Sequence, residues 1–230
     1  MKGRKWMISL LILCTLVLPA IATVSAAAQS NEPVKCRIII NYVKNTQNPI
    51  EKAATGPGWA TFSIWLHPPI RYYIYPKNSE GFTANQVITT LTTAAETWDA
   101  ETNTELFDNN PTVLSKATIG KYDGKNVIGF GNLQTSVIAV TYLWYTTTTI
   151  VEWDMKFNSR LAWGDAQTDP TKFDFLGIAC HEFGHTFGMD DIYDSSYAYV
   201  TMYGYGDIGQ TFQRTLATPD IAGLEYLYGS

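Results

Sequence analysis

The sequence predicts an α+β domain, and three observations carry that expectation. Strand-like alternation and short apolar runs dominate the chain up to about residue 158. Segments with helical period are few and well separated, near residues 84–100, 175–187 and 219–228. No internal repeat or low-complexity linker divides the chain, a pattern that favours one mixed sheet with a few packed helices.

The first segment reads as a leader rather than as part of the fold. Lys2, Arg4 and Lys5 precede the apolar run 6–18, and Pro19 and small residues lead to Ala26-Ala27-Ala28. A basic start, an apolar core and an Ala-x-Ala end form a secretory signal peptide over residues 1–28. The alternative is an uncleaved membrane anchor, since weakly apolar residues continue to Ala28 and approach the roughly 20 that a span needs. Residues 29–57 contain one apolar run, 36–40, among polar and turn-forming residues, and read as an extra strand or a short pro-segment.

Residues 58–230 carry the domain. In 70–75 (IRYYIY), Ile70, Tyr72 and Ile74 share one side and Arg71, Tyr73 and Tyr75 the other, the pattern of a strand ending at Pro76. Thr83 and Gln86 then form a capping box, and Val87, Leu91, Ala94, Ala95 and Trp98 follow at helical spacing, predicting a helix over 84–100. Residues 112–148 read as short strands and turns. Over 151–158, Val151, Trp153, Met155 and Phe157 alternate with Glu152, Asp154, Lys156 and Asn158, predicting a strand with one buried and one wet face. A second helix is expected over 175–187, ending at Gly188. A third runs over 219–228, with Thr218 as its cap, Asp220 at its positive end and Gly229 as its stop.

Composition bounds the function. Without the leader's three cations the chain has 13 basic and 21 acidic residues, a net charge of −8, which argues against nucleic-acid binding. Charged residues make up 16% against about 25% in ordinary domains. With 14 Tyr and 7 Trp, the chain is folded rather than disordered. Cys36 and Cys180 remain after leader removal, and an oxidising exterior permits either a bridge or two thiols.

Two of the three histidines, His181 and His185, stand four apart in HEFGH. On a helix that spacing puts both imidazoles on one face, where they can share a metal ion. Glu182 is turned about 100° from His181, so it reaches a metal-bound water rather than the metal. In this HExxH arrangement zinc acidifies the water, Glu182 takes its proton, and the hydroxide attacks a carbonyl. Gly184 inside the helix costs about 1 kcal/mol relative to Ala, a cost that points to close approach by another segment or by substrate. The chain continues as HEFGHTFGMDD, the frame HExxHxxGxxD. Gly188 can turn the chain sharply and bring Asp191 back toward the metal as a third ligand. Asp190 is the neighbouring alternative.

Further on, YVTMYGYG places Met202 eleven residues after Asp191. With FLGIACHEFGHTFG and ATPDIAGLEYLYG, these motifs resemble the matrixin-like metzincin metalloproteases. The resemblance spans roughly 58–229 and is most specific from Phe175 onward. It implies a twisted mixed five-stranded-type sheet with an antiparallel edge strand, two long helices, a Met-turn in which Met202 packs beneath the histidines, and a C-terminal helix. It implies a catalytic zinc, peptide substrates that add as a strand at a sheet edge, and a monomer. Several features depart from the family. Only His67 remains for a second, structural zinc, so none is expected. Cys36 in PVKCRIII lacks the Gly of the family's cysteine-switch latency motif. Asp191 replaces the usual third His, lowering the charge of the metal centre from about +2 to about +1.

Tyr197, Tyr199, Tyr203 and Tyr205 surround the Met-turn as pocket wall or as an oxyanion donor. Asp165, Asp169 and Asp174 offer carboxylates of the kind Ca²⁺ takes, in no recognisable loop. The expected function is a secreted zinc endopeptidase in which His181, His185 and Asp191 bind zinc and Glu182 is the general base. A zinc amidohydrolase acting on non-protein amides and a non-catalytic zinc-containing binding module are the competing readings.

Overall fold

The computed structural model describes residues 32–44, 58–62, 64 and 66–230. The leader expected over 1–28 lies outside the described residues, as do residues 45–57 of the expected extension. In chain order the strands are β1 (Lys35–Val43), β2 (Ala60–Thr61), β3 (Tyr73–Tyr75), β4 (Thr112–Val113), β5 (Val127–Gly131) and β6 (Val137–Tyr145). They continue as β7 (Ile150–Asn158), β8 (Trp163–Gly164), β9 (Phe173–Asp174), β10 (Met189–Asp190) and β11 (Tyr205–Gly206). The helices are α1 (Ala84–Asp99), α2 (Phe175–Thr186) and α3 (Thr218–Tyr228).

Among the described residues, seven strands form one mixed sheet in the order β11-β1-β6-β7-β5-β3-β4. The β4–β3, β3–β5 and β5–β7 pairs are parallel, and β6 runs antiparallel to β7. Strand β6 is not an edge, because β1 pairs antiparallel along it and β11 follows parallel to β1. The sheet therefore draws on chain upstream of residue 58.

Helix α1 starts as its sequence requires: the Thr83 hydroxyl accepts from the Gln86 N–H, and the Gln86 side chain accepts from the Thr83 N–H. Its inward stripe is Val87, Leu91, Ala94, Ala95 and Trp98, all buried. The Trp98 indole N–H donates to the Cys180 carbonyl at 2.8 Å and ties α1 to α2. Helix α2 is buried on nearly every side. A helix buried this completely must be apolar around most of its circumference, as FLGIACHEFGHT is.

Two expectations need correction. The polar face of β7 is not wet: Glu152, Asp154 and Asn158 are buried, while Val151 is 43% exposed. The chain before β5 folds over that face and replaces water with backbone donors. Gly120 and Val127 donate to Asp154 at 2.6 and 2.9 Å, and Asp123 donates to Glu152 at 2.8 Å. Burial still pushes the Asp154 carboxyl up to about 7 against those donors. The cap of α3 is Ala217 rather than Thr218, because the Asp220 carboxylate reaches back to the Ala217 N–H at 2.8 Å. Of the two states the sequence left open for the cysteines, the structure has two thiols: Cys36 is exposed on β1 and Cys180 is buried in α2. No helix among the described residues is long and apolar enough to cross a membrane.

Candidate metal centre

Helix α2 places His181 and His185 one turn apart, with their rings perpendicular and 4.7 Å between centroids. Their Nε2 atoms are 3.1 Å apart. The Nδ1 of His181 lies 2.8 Å from the Thr201 carbonyl, and that of His185 lies 3.0 Å from the Met189 carbonyl. A carbonyl only accepts, so each Nδ1 carries a proton and each ring turns its Nε2 toward the other.

The chain leaves α2 at Phe187 and turns at Gly188, whose φ is +119°. A Cβ there would stand 2.6 Å from the Ile64 carbonyl oxygen, so glycine is required for space as well as for conformation. The turn returns Asp191 to the histidines, with its Oδ1 3.3 Å from His181 Nε2 and 3.4 Å from His185 Nε2. Asp190 faces elsewhere and pairs with Arg37 at 3.2 Å. The other Asp191 oxygen, Oδ2, accepts from the Tyr193 hydroxyl at 2.9 Å. Oδ1 is buried and has no hydrogen-bond donor among the described residues.

These three atoms suit zinc. Bonds of about 2.0–2.1 Å in a tetrahedral centre put ligand atoms about 3.3 Å apart, and the separations here are 3.1, 3.3 and 3.4 Å. A buried acceptor without a donor beside two imidazole lone pairs also needs a cation. Among the described residues this is the one cluster of three or more ligand-type side chains. Burial would lower His185, but the nearby Asp191 charge outweighs it and carries the imidazole up to about 9. Burial would raise Asp191, yet the two imidazoles hold it far below the usual carboxylate range.

Glu182 is fully buried beside this cluster. Its Oε2 accepts from the Thr141 hydroxyl at 2.5 Å, while Oε1 has no partner among the described residues. Burial pushes its carboxyl above the ordinary range, opposed by the neighbouring histidines and by Thr141. An oriented carboxylate with one free oxygen and a raised proton affinity is suited to taking up a proton and giving it back.

The floor of the site explains Gly184. A Cβ at that position would overlap the Met202 sulfur and stand 3.0 Å from Trp98 Cζ2. Met202 is held from below by α3: the Asp220 carboxylate accepts from the N–H groups of Thr201 and Met202 at 2.9 and 3.0 Å. Asp220 thus positions the carbonyl that orients His181.

Sequence reasoning missed Thr141, Tyr193 and the two-ended role of Asp220. The one threonine inside the apolar run VIAVTYLW was the available signal for Thr141. Of the four tyrosines singled out, Tyr203 and Tyr205 pack on one another, Tyr197 packs against Gly58, and Tyr199 is 56% exposed. A phenol that was not singled out, Tyr193, reaches the cluster through Asp191. His67 is exposed and outside the cluster. Asp165 and Asp174 both pair with the Arg214 guanidinium, which supplies the charge a Ca²⁺ would have brought. Asp169 instead accepts from the Thr171 hydroxyl at 2.6 Å.

Residues 64–229 match the matrixin family model. No curated protein matches the chain.

Proposed function

The chain belongs to the matrixin family and is a zinc-dependent metalloendopeptidase, and on that premise we propose that His181, His185 and Asp191 hold the zinc while Glu182 carries the proton. The observation that supports this reading most directly is the convergence of two imidazole Nε2 atoms and one carboxylate oxygen at 3.1–3.4 Å, with each ring's other nitrogen donating to a carbonyl. Bound zinc would supply polarisation of the peptide carbonyl and acidification of water. Glu182 Oε1 takes a proton from the attacking water while Thr141 holds Oε2. The same oxygen then delivers that proton to the nitrogen of the departing amine as the C–N bond breaks. Tyr193 fixes Asp191 through Oδ2, leaving Oδ1 for the metal.

We propose further that the enzyme is exported. The supporting feature is the basic, apolar and Ala-x-Ala order of residues 1–28, with cleavage after Ala28. The substrates are proteins or peptides, and zinc is the single metal in this proposal.

Digestion of a broad peptide mixture by the protein, with and without a zinc chelator, tests reaction class and metal dependence together. Chelation should abolish cleavage and added zinc should restore it. Glu182→Ala should retain zinc and lose cleavage. Unchanged cleavage in that variant would remove Glu182 from the mechanism.

A further inference from the structure

The polar groups of Thr201, whose carbonyl faces His181, are each occupied by a different part of the chain. The Thr201 N–H donates to the Asp220 carboxylate at 2.9 Å, and the hydroxyl donates to the Thr215 carbonyl at 3.2 Å. The carbonyl oxygen accepts twice. One donor is His181 Nδ1 at 2.8 Å, and the other is the side-chain amide of Gln213 at 3.3 Å. A carbonyl oxygen has two lone pairs, so these two donors use its whole capacity.

Gln213 is 2% exposed, an uncommon position for a side-chain amide. The short 3₁₀ helix Phe212–Arg214 carries it there, lying against the first turn of α2. A Cβ at Gly177 would come within 3.3 Å of the Gln213 Cβ. The next residue, Arg214, donates from Nε to Asp174 Oδ2 at 2.7 Å. That same oxygen caps α2 by accepting from the Gly177 N–H at 2.8 Å. The segment is therefore fastened to the start of the helix that bears His181 and His185, and from that anchor Gln213 reaches the Met-turn.

We propose that Gln213 is a positioning residue for the metal centre. Its amide holds the Thr201 carbonyl in line with His181 Nδ1–H, and so aims His181 Nε2 at the metal position. The inference rests on the zinc peptidase reading and deepens it. Without the Gln213 amide, the carbonyl keeps one unmet lone pair in a fully buried site. The peptide plane can then rotate toward another donor and take the His181 ring with it.

The test uses the full chain and reads position before activity. In the metal-free parent, nuclear Overhauser contacts should join the Gln213 side-chain amide protons to His181 Hδ1, because both groups donate to one oxygen. Their absence overturns the proposal with no variant needed. Gln213→Met then removes the donor at similar volume. In that variant the His181 Nδ1–H resonance, assigned by its loss in His181→Gln, should shift. The resonance of His185, which donates to Met189 instead, should stay in place. Equal movement of both signals, or movement of neither, overturns the proposal, since packing alone would not single out His181. Competition with a chromogenic chelator should find zinc held about ten-fold more weakly in Gln213→Met, and an unchanged affinity overturns the link to the metal. A parent that shows the Overhauser contacts but binds no zinc upholds the hydrogen-bonded arrangement and sinks the zinc peptidase reading.

Discussion

The sulfur of Met202 fills the space that a side chain at Gly184 would need, so the Met-turn and the zinc-motif helix meet with no atom between them. Both residues are fully buried. Gly184→Ala would gain about 1 kcal/mol of helix propensity. It would also force Met202 and Trp98 outward in a filled core, at about 1–3 kcal/mol. The expected net effect is a lower urea midpoint, together with weaker zinc binding as the helix that carries His181 and His185 is displaced. A variant as stable as the parent would show that the floor can move.

Asp220 serves three backbone donors, those of Thr201, Met202 and Ala217. Asp220→Ala leaves all three without their acceptor in a buried site, at about 1–3 kcal/mol each before relaxation. Urea denaturation should show a loss of several kcal/mol, and Asp220→Asn should lose less. Because Thr201 orients His181, zinc affinity should fall in parallel with stability.

Tyr193→Phe removes one hydroxyl and little volume. Asp191 Oδ2 then loses its donor, and the carboxylate can rotate. Removing such a supporting hydrogen bond typically costs 10–100-fold in metal affinity. Competition with a chromogenic chelator should find that loss while the melting temperature of the metal-free protein changes little. An unchanged zinc affinity would assign Tyr193 to packing alone.

Zinc entry should release a proton. In the protein before zinc is added, burial disfavours the His185 cation, but Asp191 holds its pKa up to about 9, above the ordinary 6.5. The charged imidazole therefore stabilises the metal-free fold in full below pH 6.5, and that contribution fades as pH rises through about 9. At pH 7 zinc must displace this proton, whereas well above pH 9 it need not. Calorimetric zinc titrations in buffers of different ionisation enthalpy should find about one proton released at pH 7 and progressively fewer toward pH 10. A release that does not vary with pH would remove His185 from this role.

Asp191→His should move the pH dependence of peptide cleavage downward. A neutral third ligand leaves more positive charge at the metal, which acidifies water more strongly. Coincident profiles for parent and variant would count against Asp191 as the residue that sets this charge.

The chemistry was legible where it depends on local geometry. His181 and His185 share a face because any helix of that sequence repeats every 3.6 residues, and Gly188 returns Asp191 because the turn lies only three residues away. Helix α1 was legible for the same reason, from its capping box to its stripe at Trp98. The alternation of β7 was read correctly as a strand but wrongly as half-wet. The backbone donors that bury Glu152 and Asp154 come from residues 27 to 34 positions away.

By itself, then, the sequence determined the residue types proposed as ligands, their spacing and the helix that carries the two histidines, since these follow from bond geometry within one or two turns of chain. Only the tertiary structure decided which hydroxyl orients Glu182, which carboxylate supports the Met-turn, and that β1 lies against β6 and β11. Those pairings join segments remote along the chain. Their selection depends on which surfaces exclude water together and which buried polar groups find partners, and neither is encoded in any local pattern.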